Sequence, residues 1–379
     1  MQDRLIDLDH AATTRPYAAV LRVMEDSAYG NPSSTHSLGV LARRQLEEAG
    51  EKTMTLFSEE ARTGYDLIYT SGGTEANNLA LAGYALANRS RGSHLITTVA
   101  EHASVLSTMR HLEQLGFAVS YLPVDCCGHL SLEVLLKELR EETILVSCML
   151  LNNELGTENE CGLFAEAVKA RNPRTAFHMD AVQAAGKWKI QTAGIDLISI
   201  SAHKFHGPKG VGALLSARGT QLEPLAFGGG QNRGLRPGTE NVAGIAGMGE
   251  AARISMAEVR SQAEKVRRLT ERFKEGCRIS GAAELFSRGI CSHGIMSLTL
   301  KSIRADTALA YLDTWGICCS AGSACHAGSA RPSHVLLATG LSEEAALNTI
   351  RISIGGDNTE EDIAQLIRAL LRMKKDLQE

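Results

Sequence analysis

Aromatic residues are scarce in this chain: Phe, Trp and Tyr make up 4% of 379 residues, although hydrophobic residues as a whole reach 44%. Apolar packing therefore falls to Ala, Leu, Ile and Val, the residues that helix-covered parallel sheets prefer. No run approaches the ~18 consecutive apolar residues of a membrane span, and Asp3, Asp7 and Asp9 stand where a secretory leader needs an apolar stretch. The expectation is a cytoplasmic protein with no membrane partner. An excess of one charge is also missing. The net charge is -4 and the pI lies near 6.3, which argues against direct binding of nucleic acid through a broad basic surface. Nine cysteines are present, an odd number, and no C-x-x-C pair occurs among them. Neither a disulfide framework nor a metal site is expected on that pattern, and the adjacent pairs Cys126-Cys127 and Cys318-Cys319 receive no role.

The length exceeds the usual ~100–200 residues per domain. Strand-like runs at 67–70, 95–98, 119–122, 144–149, 176–179, 197–200 and 211–215 alternate with helical patterns at 74–86, 104–115, 132–140 and 164–171. Such alternation predicts an α/β fold with a seven-stranded, mainly parallel sheet and crossover helices. Gly116 follows the second helix as a C-terminal cap. A long helical stretch from Val242 through Phe273 links this part to a smaller α+β unit with strands near 295–300 and 350–354. The expected division is a large domain over 15–255 and a small domain built from 1–14 and 256–379. In the last helix Thr359 caps, Asp362 sits three residues on, and Ile363, Leu366, Ile367, Leu370 and Leu371 form one apolar stripe.

The segment Ser199-Ile-Ser-Ala-His-Lys204-Phe-His-Gly-Pro-Lys-Gly-Val-Gly212 places one lysine in a polar cluster at a strand end, shortly after His178-Met-Asp180-Ala-Val-Gln183. A lysine amine condenses with a carbonyl, and pyridoxal 5'-phosphate needs such a lysine, an acid opposite its ring nitrogen and donors for its phosphate. Lys204, Asp180, and Ser201 with His203 supply these. Thr70-Ser-Gly-Gly73-Thr74-Glu-Ala-Asn77 joins a strand end to a helix start, where backbone N–H groups receive phosphate. The glycines of 228–239 suit either a second element of this kind or a flexible surface loop. Gln183 is within reach of the ring's phenolic oxygen, and His102, after another strand, is placed to stack on the ring and move protons. Cys325 lies in a run of small residues, 320–333, that resembles a swinging arm. Arg351, a cation inside an apolar strand, needs an anion, either a substrate carboxylate or a structural partner.

On Asp9-His-Ala-Ala-Thr-Thr14, Gly30 to His36, Thr70 to Glu75, Glu101-His102, Asn152 to Gly156, Asp180 to Gln183, Ser201 to Gly207, Arg233 to Thr239 and Gly322-Ser-Ala-Cys325, the chain resembles the pyridoxal-phosphate-dependent cysteine desulfurases. The likeness is to the subgroup with a long catalytic-cysteine loop that serves iron–sulfur cluster assembly and tRNA thiolation. It implies the fold of the aspartate-aminotransferase-like group and a homodimer with sites near the subunit interface. By matching position it implies Lys204 as the tethering lysine and Asp180 at the ring nitrogen, with Gln183 at the ring oxygen and His102 stacked. Thr74, Ser201 and His203, beside Gly73, would hold the phosphate, joined by Thr239 from the other subunit. Asn153, also placed against the cofactor, and Arg351 would orient the substrate. Cys325 would take sulfur from L-cysteine as a persulfide, release L-alanine and pass the sulfur to an acceptor protein, a cluster scaffold or a tRNA thiolase. The same residues also suit a selenocysteine lyase, another lyase or aminotransferase using this cofactor, or a non-catalytic partner subunit that keeps the fold for binding.

Overall fold

The structure is a computed structural model, and it describes residues 5–280, 284–285, 293–321 and 331–378. A two-residue strand, β1 (Ile6–Asp7), is followed by helices Ala18–Glu25 and Ser37–Thr53 and then by the strands of a large sheet: β2 (Tyr65–Thr70), β3 (His94–Thr98), β4 (Ala118–Leu122), β5 (Thr143–Met149), β6 (Ala176–Asp180), β7 (Leu197–Ser201) and β8 (Gly212–Ala217). Their order is β2-β8-β7-β6-β5-β3-β4. Only β8 runs against its neighbours, pairing antiparallel with both β2 and β7, while the other pairs are parallel. Sequence leads to the seven strands but not to this reversal. The link Ala202–Val211 holds a single 3-10 turn, too short for the crossover of a dozen or more residues that a parallel return requires.

Both faces of the sheet are buried. Ile198 and Ile200 of β7 enter one apolar cluster with Phe177, Met179, Ala213 and Leu215, and Leu197 enters another with Leu95, Leu145, Ala176 and Leu214. Alternate side chains of one strand thus serve opposite cores, as in a sheet covered by helices on each side. The chain takes up the expected C-terminal cap at Gly116, whose φ is +90° and after which the Phe117 N–H donates to the Leu112 carbonyl at 3.1 Å.

The helix expected over 74–86 is helical but not uniform: Gly73–Asn78 is α, Leu79–Gly83 is a π turn, and Tyr84–Ala87 is α again. The Gly83 carbonyl accepts from the Glu223 N–H at 2.9 Å, and a Cβ on Gly83 would stand 2.8 Å from the Glu223 carbonyl oxygen. The widened turn therefore sits where a neighbouring backbone segment is bonded to the helix, in the single-turn form in which π turns occur.

Helix Val242–Ser280 joins two cores. At 1.5 Å per residue it is roughly 58 Å long. Val242, Ile245, Met248, Ala251 and Ala252 are buried near its start and Leu269, Phe273 and Cys277 near its end, the latter group in a separate cluster. That second core lies on a four-stranded antiparallel sheet of β9 (Glu284–Leu285), β10 (Ile295–Thr299), β12 (Ser320–Ala321) and β13 (Thr349–Ser353), ordered β12-β13-β10-β9. Strand β1 pairs with β11 (Ile317–Cys318), so Ile6 and Leu8 pack in this core too. Helix Glu360–Gln378 begins with the capping box read from sequence: the Asp362 N–H donates to Thr359 Oγ1 at 3.2 Å and the Thr359 N–H to Asp362 Oδ2 at 2.8 Å.

Candidate active site

Six strands of the large sheet run the same way, and the predicted site residues leave its carboxyl edge, where α/β folds place their ligands. After β2 come Gly72, Gly73 and Thr74; after β3, Glu101 and His102; after β5, Asn152 and Asn153. Gln183 follows β6, which ends at Asp180, and His203 and Lys204 follow β7, which ends at Ser201. Gly212 opens β8 directly opposite both Thr70 and Ser201. A Cβ there would lie 2.6 Å from the Ile200 carbonyl oxygen and 2.7 Å from the Gly72 Cα, so only glycine lets the turn at 72 close onto the sheet.

Lys204 ends the short turn Ala202–Lys204, and its Nζ donates to the carbonyls of Ala11 at 2.6 Å and Ala12 at 2.8 Å. The N-terminal segment thus forms one wall of the crevice. Asp180 is 3% exposed. Its Oδ2 accepts from Asn77 Nδ2 at 2.7 Å, and its Oδ1 from the Val182 N–H at 3.0 Å. The other hydrogen of the same amide goes to Ser104 Oγ at 2.9 Å, and Ser104 Oγ meets His102 Nδ1 at 2.8 Å. His102 also caps helix Ala103–Gln114 by accepting the Ser104 N–H at Nδ1, 3.1 Å away. An accepting Nδ1 carries no proton, so the neutral ring keeps its hydrogen on Nε2. Burial lowers the His102 pKa, opposed by Asp180 and assisted by Lys204 and His334, which favours that neutral form.

The phosphate-type cradle is a cleft of about 500 Å³ lined by Thr13, Ser71, Gly73, Ser201, His203 and Lys209, among others. His203 is held by Thr13 Oγ1 at 3.1 Å, and burial first, then Lys204 and Lys209, pushes its pKa down to about 4. That shift favours the neutral ring. Gly73 leaves room beside Val182, whose Cγ2 would be 2.7 Å from an added Cβ. Glu75 ties the turn to the glycine-rich loop: Oε2 accepts the Ser71 N–H at 2.6 Å, and Oε1 accepts Arg236 Nε at 2.9 Å. Thr239 is exposed on that loop and does not line the cleft of its own chain.

Three side-chain atoms around this crevice are buried with no hydrogen-bond partner among the described residues: Ser201 Oγ, Gln183 Oε1 and Asn77 Oδ1. Buried polar atoms are rarely left so, and a cluster of them calls for a polar ligand. Ser201 lines the phosphate-type cleft, where its hydroxyl would suit a phosphate oxygen, and Gln183 Oε1 suits a protonated ring oxygen, its Nε2 being taken by the Ala11 carbonyl at 2.7 Å. The residues present therefore fit pyridoxal 5'-phosphate.

Arg351 is 2% exposed in β13. One terminal nitrogen pairs with Asp9 Oδ1 at 2.7 Å and the other donates to the Asn153 carbonyl at 3.1 Å, while Nε has no partner among the described residues. The structural ion pair weighed from sequence is present, and it places the guanidinium beside Asn153. Cys325 lies outside the described residues. Sequence reading passed over Asn77, Ser104 and Thr13, and over Glu154, which is buried, accepts from Ser333 Oγ at 2.5 Å and has its pKa raised to about 7 by burial. Asn77 is the one with a visible signal, an amide on the first turns of the helix that follows the phosphate-type glycines. A separate cavity of about 490 Å³ lies on another side of Lys204, lined by His10, Lys187, His206, Asp357 and the middle of helix Val242–Ser280. None of Thr74, His102, Asp180 or Ser201 reaches it, so it is not where a cofactor held by those residues would sit.

Residues 6–366 match the aminotransferase class-V family. Over 389 aligned positions, covering all of this chain and 96% of the relative, the sequence is 39% identical to cysteine desulfurase IscS of Clostridium botulinum. It is 38% identical to cysteine desulfurase IscS 1 of Archaeoglobus fulgidus over 96% of this chain and 95% of that one. Among solved structures, a NifS-like protein superposes with a TM-score of 0.90 at 35% identity, over 99% of this chain and all of that one. DndA from Streptomyces lividans superposes with a TM-score of 0.75 at 36% identity, over 91% and 98%. With the sheet order, the lysine-bearing turn and the orphaned polar atoms in place, the chain belongs to the aminotransferase class-V family.

Proposed function

We propose that this protein is a cysteine desulfurase that converts L-cysteine to L-alanine and carries the removed sulfur as a persulfide on Cys325. The observation that carries the reading is the meeting, at one sheet edge, of the Lys204 amine, the buried Asp180 carboxylate and the unpaired polar atoms of Ser201, Gln183 and Asn77. Full-length likeness to proteins named cysteine desulfurase supports it.

Pyridoxal 5'-phosphate, when bound, supplies an electrophilic carbonyl and an electron-withdrawing ring. Gly73, Thr74, Ser201 and His203 would hold its phosphate and Lys204 would tether it. Asp180 would favour a positive charge at the ring nitrogen, since an opposite charge favours the cationic form. Asn77 in turn holds Asp180 in place. Asn153 and Arg351 orient the substrate carboxylate, with Arg351 Nε the donor left for it. Released from its tether, Lys204 takes the Cα proton at Nζ, and neutral His102 moves a proton through Nε2. The Cys325 thiolate bonds to the substrate sulfur while the Cβ–S bond breaks, its electron pair passing to the carbon skeleton, which leaves as alanine after protonation.

The protein acts as a homodimer in the cytoplasm, Thr239 of each subunit completing the phosphate site of the other. Supporting this, Thr239 is exposed, and Phe227, which leads into its loop, is 85% exposed. The acceptor is a protein, a cluster scaffold or a tRNA thiolase. No helix among the described residues is long and apolar enough to cross a membrane. The test is alanine formed from L-cysteine with reductant by wild type and by Cys325→Ala. Alanine from wild type alone is expected; equal turnover by the variant would point instead to a lyase that needs no cysteine nucleophile.

A further inference from the structure

The loop after β4, Asp125-Cys126-Cys127-Gly128-His129, takes no part in the chemistry above. Its backbone is a closed turn: the Asp125 N–H donates to the His129 carbonyl at 2.9 Å and the Gly128 N–H to the Asp125 carbonyl at 3.0 Å. Asp125 Oδ1 accepts the N–H groups of both Cys127 and His129, each at 2.8 Å. Gly128 has φ +86°, and a Cβ on it would stand 2.5 Å from Leu155 Cδ1, so the turn is seated on the protein and requires glycine. Thr157 Oγ1 donates to the Cys127 carbonyl and fastens the loop to the segment that carries Asn153.

That geometry brings three different donors together. A carboxylate oxygen of Asp125, Cys127 Sγ and a ring nitrogen of His129 all lie within 4.8 Å of one another, and Asp125 Oδ2 is 3.4 Å from His129 Nδ1. Among the described residues this is the group of three or more His, Cys, Asp or Glu side chains arranged so closely. Cys126 Sγ stands 4.0 Å from Cys127 Sγ. Cys126 Sγ is not among the atoms that lie within 4.8 Å of one another, so the turn supplies three ligands and leaves a fourth, tetrahedral position to solvent. Hard cations such as Mg²⁺ or Ca²⁺ require six or more oxygens. A thiolate, an imidazole and one carboxylate are instead the donors of a borderline-soft divalent ion that accepts four-coordination.

We propose that Asp125, Cys127 and His129, with solvent at the fourth position, form a binding site for Zn²⁺ or a divalent ion of like chemistry. The site lies outside the catalytic crevice and does not depend on the desulfurase reading. It has no C-x-x-C spacing, which is why sequence pattern alone gives no sign of it; the Asp125-capped turn, with its left-handed glycine, does the gathering that spacing does in the familiar zinc motifs.

The test is titration of the reduced, chelator-treated holoenzyme with Co²⁺, whose visible bands report tetrahedral coordination and whose near-ultraviolet bands report bound thiolate, followed by displacement with Zn²⁺. One equivalent is expected to bind with both signatures. Affinity should fall about 100-fold or more in Cys127→Ser and in His129→Gln, since even losing a residue that supports a ligand costs about 10–100-fold. In Cys325→Ser it should be unchanged. Both loop variants alter side chains at least partly open to solvent, and unchanged circular dichroism and cofactor absorbance would show that they are folded. Absence of a thiolate band at one equivalent, a band that survives both loop substitutions, or a band lost in Cys325→Ser would each overturn the proposal.

Discussion

Glu101 is fully buried between β3 and β5, where its Oε1 accepts from the Met149 N–H at 2.9 Å and Thr98 Oγ1 at 3.1 Å while Oε2 has no partner. Burial raises its pKa from 4.5 to about 8, with Asp180 adding to the rise and the Met149 and Thr98 hydrogen bonds opposing it. Between those values the folded protein retains a proton that the unfolded chain has lost, so stability falls as pH rises from about 5 to about 8. Glu101→Gln keeps the shape and removes the titration. Its melting temperature should therefore drop less than that of wild type between about pH 6 and about pH 8.5; parallel profiles would refute the assignment. At Asp180, replacement by Asn keeps a hydrogen-bonding group but not the charge. Alanine formation should fall on the order of 100-fold with cofactor still bound, as steady-state rates and cofactor absorbance together would show. Both Lys204 and Asp180 are legible in the sequence because each ends an apolar run in a polar cluster. Ser104 and Glu154 are not, because their partners, the Asn77 amide and the Ser333 hydroxyl, are brought to them only by the fold; Asn77 shows in the sequence only as an amide after the glycines, and its role appears once β6 brings Asp180 to it.

The same contrast holds for whole elements. Strands β5, β6 and β7 are mostly apolar and fully buried and can be read directly, as can helix Glu360–Gln378 from its capping box and stripe. Helices Ala18–Glu25 and Ser37–Thr53 escape the sequence reading. The second carries Gly39 and Gly50 inside it, and Gly39 is required by the loop that leads into the helix, its Cβ position lying 2.4 Å from the Ser34 carbonyl oxygen and 2.7 Å from that of Asn31, a constraint that no periodicity displays. Removing the capping box by Thr359→Ala should cost about 1 kcal/mol of stability, measured by denaturant unfolding, without changing cofactor binding. Gly212→Ala tests the sheet edge instead. With backbone on two sides of the added methyl, it should cost about 1–3 kcal/mol and also weaken cofactor binding, because the phosphate turn must move; loss of stability with unchanged cofactor affinity would separate Gly212 from the site.

At the scale of the molecule, one helix, Val242–Ser280, packs its first turns on the large-sheet core and its last turns on the smaller one, so the crevice walls are held by a shared strut. The proposed boundary at 255/256 falls within it. The sequence shows the helix as a long unbroken pattern but not the way β1 crosses to pair with β11, which brings Asp9 to Arg351 and residues 11–12 to Lys204; such pairing across about 310 residues leaves no local trace. Dimerisation belongs to this scale too. Phe227→Asp should shift sedimentation toward monomer and lower cofactor retention, as expected if Thr239 serves the other subunit, whereas an intact dimer would move the interface elsewhere. The most direct test of the whole account is mass spectrometry of the Cys325 peptide after a single turnover of the holoenzyme with L-cysteine in the absence of acceptor and reductant. The account predicts a peptide heavier by one sulfur atom, formed in step with alanine. Alanine accompanied by free sulfide and an unmodified Cys325 would contradict it.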